Sequence, residues 1–256
     1  MRTSSIFSLV MALLAAMSVT GASAEPTDIT VRVIARDAKF IGTSMGGARV
    51  TLRDLHTGEI LATGLTQGGT GNTRLIMHKD ADRRDVIVDD SAAAFTVTLD
   101  LDEPRMIEVE AFGPQAQPQA AHRVLSSQWV VPGRHLSGGN GWMLEMPGFV
   151  VDVLSPPAHT HLTSTAKAEV RANVIMMCGC PIEPDGLWDA NRYEVAAIVR
   201  INGQPAGRFD LAYAGETSQF AGLIPISTPG VYDVTVYAYD PANGNTGLDR
   251  TTFFVR

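Results

Sequence analysis

The sequence predicts an all-β fold: two consecutive β-sandwich domains behind a cleaved signal peptide. Three observations carry this expectation. Apolar and polar residues alternate with period two in a succession of short segments, beginning at residues 29–36 and ending at 251–256. Glycine, proline, asparagine and aspartate punctuate these segments at short intervals, and no run of ten or more residues shows helical periodicity with caps. The first 24 residues have the tripartite pattern of a secretory signal: Arg2, an apolar stretch over residues 6–16, and Ala22-Ser23-Ala24 before Glu25.

That signal implies a periplasmic protein where the cell has an outer membrane, and a secreted one otherwise. Its apolar run is shorter than the ~20 residues a membrane span needs, and no other run approaches that length. The chain has 20 Lys and Arg against 27 Asp and Glu, a formal charge of −7. Without a basic cluster, this balance argues against nucleic acid as a partner. The expected partner is another envelope protein. Two cysteines are too few for a disulfide-built scaffold, so apolar cores must hold the fold. The expected divisions are a signal peptide (1–24), a first sandwich (25–148) and a second (149–256).

Residues 29–36 alternate as a half-buried strand. Ala48, Val50 and Leu52 then share one face, Thr57-Gly58-Glu59 turns, and residues 60–66 return as the partner strand of a hairpin. The pattern Gly47-Ala48-x-Val50-x-Leu52-x-Asp54-x-x-Thr57-Gly58-x-x-Leu61-Ala62-x-Gly64-x-Thr66 resembles the prealbumin-like, carboxypeptidase-regulatory type of sandwich. The resemblance covers about twenty residues. It implies a fold and no activity, such modules being accessory or adhesive. Residues 67–73 are glycine-rich but lack the lysine of a phosphate-binding loop, so they read as a wide turn. Residues 79–85 form a mixed-charge run, read as a solvated loop. Residues 94–101 and 105–112 alternate again, with a turn at Asp102-Glu103-Pro104 between them. Residues 121–131 fit a strand or a brief helix. Residues 132–148 read as a loop closing the first sandwich, although Leu144 and Met146 also suit a short strand.

The second half opens with an apolar strand at 149–154, stopped by Ser155-Pro156-Pro157, and residues 166–176 alternate as a sandwich strand. Residues 193–201, the turn Asn202-Gly203 and residues 208–213 make a hairpin. Segments 218–226, 230–239 and 251–256 complete about seven strands. This density fits an immunoglobulin-like or fibronectin III-like sandwich. Pro229-Gly230-x-Tyr232-x-Val234-x-Val236-x-Ala238 looks like the penultimate strand of bacterial Ig-like repeats. Asp240 to Asp249 is rich in oxygen donors and departs from the EF-hand pattern, leaving an Asn-Gly turn as its default and a calcium-bracing loop as the alternative.

One stretch gathers reactive side chains: Met176-Met177-Cys178-Gly179-Cys180-Pro181, with His159 and His161 upstream. Thiolates and thioethers prefer Cu(I), so Cys178, Cys180, Met176, Met177, His159 and His161 are the candidate ligands of a soft-metal site. One-residue spacing of the cysteines disfavours structural zinc. Export favours oxidation, so a Cys-x-Cys disulfide is the second reading, with a thiol-redox role attached to it. Its small loop gives little entropic stabilisation. Burial as two small apolar residues is the third, and leaves a structural or adhesive envelope module without a chemical site. Gly179 and Pro181 place the sulfurs on an exposed bulge or loop at a strand end. Trp188, just downstream, is expected in the core. No catalytic motif is present, and the leading function is a non-enzymatic accessory or binding protein.

Overall fold

Residues 24–77, 82 and 84–256 are described by a computed structural model. The signal segment lies outside the described residues, as does most of the charged run at 79–85. Among the described residues no helix is long and apolar enough to cross a membrane.

The first sandwich is built from β1 (Glu25–Ala35), β2 (Arg49–Asp54), β3 (Ile60–Leu65), β4 (Gln67–Thr70), β5 (Ala92–Leu101), β6 (Arg105–Gly113), β7 (His122–Val130) and β8 (Trp142–Met146). Its sheets run β4-β5-β1-β8 and β3-β2-β6-β7. This is an all-β sandwich, as the resemblance of the β2–β3 hairpin implies. Period-two alternation turns Ile29, Val31 and Val33 of β1 toward Val50 and Leu52 of β2 and Ile107 and Val109 of β6, all essentially without solvent contact.

One local expectation changes and two open alternatives are resolved. The glycine-rich segment 67–73 is not a wide turn: it forms edge strand β4, followed by a one-turn helix, α1 (Thr73–Met77). Glycine suits it because Ser91 and Ala93 approach closely, leaving no room for a Cβ at Gly68. Residues 121–131 resolve as strand β7. The loop at 132–148 contains β8, which pairs parallel with β1 in the register Val31↔Trp142 to Ala35↔Met146. Parallel pairing needs a long crossover, and the glycine-rich approach to β8 supplies part of it.

The second sandwich comprises β9 (Phe149–Ser155), β10 (His161–Leu162), β11 (Thr165–Met176), β12 (Glu194–Ile201), β13 (Gln204–Asp210), β14 (Ala212–Tyr213), β15 (Gln219–Ile226), β16 (Gly230–Tyr239) and β17 (Thr246–Val255). The sheets are β14-β15-β11-β9 and β10-β17-β16-β12-β13. With β9 as the first strand, this is the ABED and CFG arrangement of an immunoglobulin-like sandwich, extended by edge strands. Tyr232 donates its hydroxyl to the carbonyl of Thr228 at 2.9 Å, forming the tyrosine corner at the entrance to β16. Val234, two residues on, occupies the place where antibody domains put their second inter-sheet cysteine, so packing holds these sheets.

Only Pro147 and Gly148 separate β8 from β9. Buried apolar side chains continue across this junction without a break, from the β1 core through Met146, Phe149 and Met177 to Val255.

Candidate functional site

β11 ends at Met176 because the chain reverses there. Gly179 N–H donates to the Met176 carbonyl at 2.8 Å, and Met176 N–H donates to the Cys180 carbonyl at 3.0 Å. Gly179 has φ +83°, a left-handed conformation natural to glycine. Cys178 and Cys180 are joined to each other, with S–S 2.07 Å. Ser218 stitches the strand end and the turn's exit: its N–H donates to the Ile182 carbonyl, its Oγ accepts from Ile182 N–H, and its carbonyl accepts from Val174 N–H.

The expected exposed bulge is instead buried. Met176 is 1% exposed, Met177 0%, Cys178 1% and Cys180 5%. The reason is the neighbouring sandwich. A Cβ on Gly179 would lie 2.8 Å from the Met45 sulfur of the first half. One on Gly148 would lie 2.5 Å from Met177 Cε and 2.8 Å from His122 Nε2. The turn is therefore packed into the junction, and glycine at both positions lets the Met45, Met177 and His122 side chains lie against the backbone.

His159 and His161 are elsewhere. His159 N–H donates to the Thr252 carbonyl, and His161 stacks on Phe254 with ring centroids 4.8 Å apart. Met176 pairs with Phe149, whose carbonyl lies against Gly247 at the start of β17. His161 pairs with Phe254, seven residues further along that strand, which is about 23 Å away. The six expected Cu(I) ligands thus do not compose one donor set: two sulfurs are spent on each other and both imidazoles sit at the far end of the sandwich. Among the described residues no three His, Cys, Asp or Glu side chains converge as a metal cluster would.

The site the structure does assemble is the junction. Gly148 N–H donates to Asn245 Oδ1 at 2.6 Å, and Asn245 Nδ2 donates back to the Gly148 carbonyl at 3.4 Å. Asn245 is 1% exposed. Its loop is held by Asp240, whose Oδ1 accepts from Ala242 N–H and whose carbonyl accepts from Gly244 N–H. The oxygen-rich segment 240–249 therefore uses its polar groups on the turn and the junction. Trp188 is 6% exposed and donates Nε1–H to the Asp37 carbonyl of the first half at 2.8 Å. Gln119 Nε2 donates to the Val151 carbonyl at 3.2 Å.

Burial marks the titrating groups here. His122 is held below the ordinary imidazole value because burial disfavours its cation. The Tyr193 phenol, packed edge-on against Phe149, is pushed up to about 12, first by burial and then by the Asp240 and Asp37 carboxylates.

Beside the Asn245–Gly148 pair a groove opens between the halves, with a volume of 490 Å³. Ala120 and His122 form its first-sandwich wall. Ile198, Tyr237 and Leu248 form the other, from the outer face of β12, β16 and β17. Tyr237 is fixed there by its hydroxyl, which meets Glu194 and accepts from Arg208 Nε at 2.7 Å. The Tyr237 hydroxyl and a second nitrogen of Arg208, which donates to Glu194 Oε1 at 2.6 Å, hold the Glu194 carboxyl below its usual range. Sequence reasoning passed over this groove because its walls come from segments more than seventy residues apart.

No protein-family profile matches the chain. A curated relative, a non-reducing polyketide synthase of Byssochlamys spectabilis, is 29% identical over 124 residues, covering 44% of this chain. The chain spans only 6% of that relative's length. Solved structures similar to it include immunoglobulin-like and fibronectin III-like domains. The fibronectin(III)-like modules of Clostridium thermocellum CbhA share 11% identity and a TM-score of 0.30, covering 82% of this chain and 78% of theirs. A titin Ig tandem shares 9% identity and a TM-score of 0.25, covering 91% and 98% respectively. The Ig-like character of the second sandwich rests on its own strand order and tyrosine corner.

Proposed function

We propose that the chain is an exported, non-enzymatic accessory module that binds another envelope protein, its two sandwiches held as one rigid body. The observation that carries this reading is the burial of the Met176–Cys180 turn in the junction. The sulfur side chains that would serve a metal or redox centre are committed to the disulfide and to packing between the halves. A thiolate must reach a sulfur in line to exchange a disulfide, and 1% and 5% exposure denies it that approach. A periplasmic or secreted location agrees with a disulfide that persists. Rigidity serves binding, because a preorganised pair of domains loses less entropy on docking.

Two measurements test the proposal. Nitrogen-15 relaxation on the chain from Glu25 is expected to give one rotational correlation time for both halves. Distinct correlation times would remove the rigid body. A photo-crosslinking side chain at Trp129, which is 55% exposed on edge strand β7, is expected to give one discrete protein adduct in an envelope fraction. Absence of any adduct there and at the equally exposed Leu223 would sink the binding role.

A further inference from the structure

The junction groove continues along the outer face of the second sandwich into a second trough of 580 Å³, sharing Ile198, Thr235 and Leu248 with the first. The two ends differ in chemistry. At the junction end the surface is apolar: Ile198 is 46% exposed and Leu248 42%, beside the ring of Tyr237. Most polar groups at that end are already engaged. Gln119 gives its amide to Gln117 and Val151, and Tyr237 gives its hydroxyl to Glu194. At the other end lies a cation. Arg250 follows Leu248 by two residues on the same face of β17, about 7 Å along the strand. It pairs across to Thr235 on β16, and among the described residues no carboxylate lies within ion-pair distance of it. Arg200, on the next row, is turned onto the Gly203 carbonyl by two hydrogen bonds.

We infer that this composite groove binds a small amphipathic carboxylate, its apolar body seated at Ile198, Tyr237 and Leu248 and its carboxylate on Arg250. The volume falls in the range of small-ligand sites, which favour domain junctions. A guanidinium matches a carboxylate through two parallel hydrogen bonds. Asp233, opposite Arg200 in the β12–β16 register and lining the same trough, adds a negative charge that disfavours a phosphate dianion more than a monoanionic carboxylate. This inference goes beyond the accessory role above and stands on different residues, so either can fail alone.

The test is calorimetric titration of the chain from Glu25 with octanoate, octanol and acetate. Octanoate is expected to bind with unit stoichiometry. Octanol should bind roughly tenfold more weakly or worse, the loss of a charge-assisted hydrogen bond. Acetate, lacking the apolar body, should give no heat. Arg250→Gln should bring octanoate to the level of octanol, and Leu248→Ser should weaken both ligands. Both residues are exposed, so the variants keep the fold. Arg53→Gln, at the β2–β3 turn of the first sandwich and outside the lining of both troughs, should change nothing. Equal binding of octanoate and octanol, an unaltered titration in Arg250→Gln, or no octanoate binding at millimolar concentration would each overturn the inference.

Discussion

Asn245→Ala tests the junction most directly. The side chain is 1% exposed, and its Oδ1 accepts the Gly148 N–H at 2.6 Å. Truncation leaves that N–H buried without an acceptor, which costs about 1–3 kcal/mol. The return bond from Nδ2 to the Gly148 carbonyl is long at 3.4 Å, and its loss adds less than about 1 kcal/mol. A total near 2–3 kcal/mol corresponds to a fall in Tm of roughly 4–12 °C for a chain of this size. Urea denaturation followed by circular dichroism gives the free energy, and calorimetry gives the shape of the transition. Because the bond ties the linker to the β16–β17 loop, the single transition should also broaden or split as the halves lose their coupling. Asn243→Ala, which removes only a local turn contact to Asn245 N–H, is the control and should cost under about 1 kcal/mol. A change below about 0.5 kcal/mol in Asn245→Ala, the range of an unremarkable surface substitution, would refute the reasoning.

Other outcomes follow from the same region. Gly148→Ala combines φ +135° with a Cβ 2.5 Å from Met177 Cε, and should destabilise the chain by about 3 kcal/mol or more in the same denaturation assay. Native protein should keep the Cys178–Cys180 bond in millimolar dithiothreitol, with thiol labelling appearing only on unfolding; rapid labelling of the folded chain would contradict the burial described. His122 has a folded pKa below its ordinary value of 6.5, so the unfolded chain binds the extra proton. Stability should be complete above the unfolded value and decline as pH falls through it toward the folded value, and His122→Gln should flatten that slope in urea midpoints taken from pH 7.5 downward.

Much of the fold was legible because alternation reports burial one residue at a time. β1, β2, β6, β11 and β16 are all strands with one face in a core, and period two identifies them without knowledge of their partners. β4 was not legible. Its residues are Gln67, Gly68, Gly69 and Thr70, which carry no apolar face, and it is a strand only because β5 offers it an edge. β8 was half legible for the opposite reason. Its pattern at Trp142, Leu144 and Met146 is correct, but the surrounding glycines dominate, and its partner β1 lies over a hundred residues back. The groove walls share this difficulty, since Ala120, Ile198 and Leu248 have no local signal of proximity.

At the cysteine stretch the disulfide and the burial were both legible as alternatives, and the placement was not. Methionines and cysteines clustered on a strand end suit a soft metal by ligand type, and that chemistry led to the copper reading. The same properties suit an irregular gap between two preformed sandwiches. Each sandwich presents a rigid surface set by its own register, and neither can adjust its backbone to fill the space between. Methionine is unbranched and polarizable, so it fills such gaps with little strain, and a cysteine in a disulfide behaves as a compact apolar unit. Met45, Met146, Met176 and Met177 are all buried, and all belong to the same continuous core as the disulfide. Glycine at 148 and 179 admits them where a Cβ would clash. Copper would need free thiolates within reach of solvent, whereas gap filling needs only contact with the other half. Met45 supplies that contact from 133 residues upstream of Cys178. Replacing Met45 by Leu, which conserves volume and removes sulfur, separates the two explanations. Packing predicts a change under about 1.5 kcal/mol, since such swaps repack, whereas Met45→Ala should cost about 2–5 kcal/mol through the cavity it leaves beside Gly179. Equal losses in both variants would mean that the sulfur itself matters, and would return the junction to the list of chemical sites.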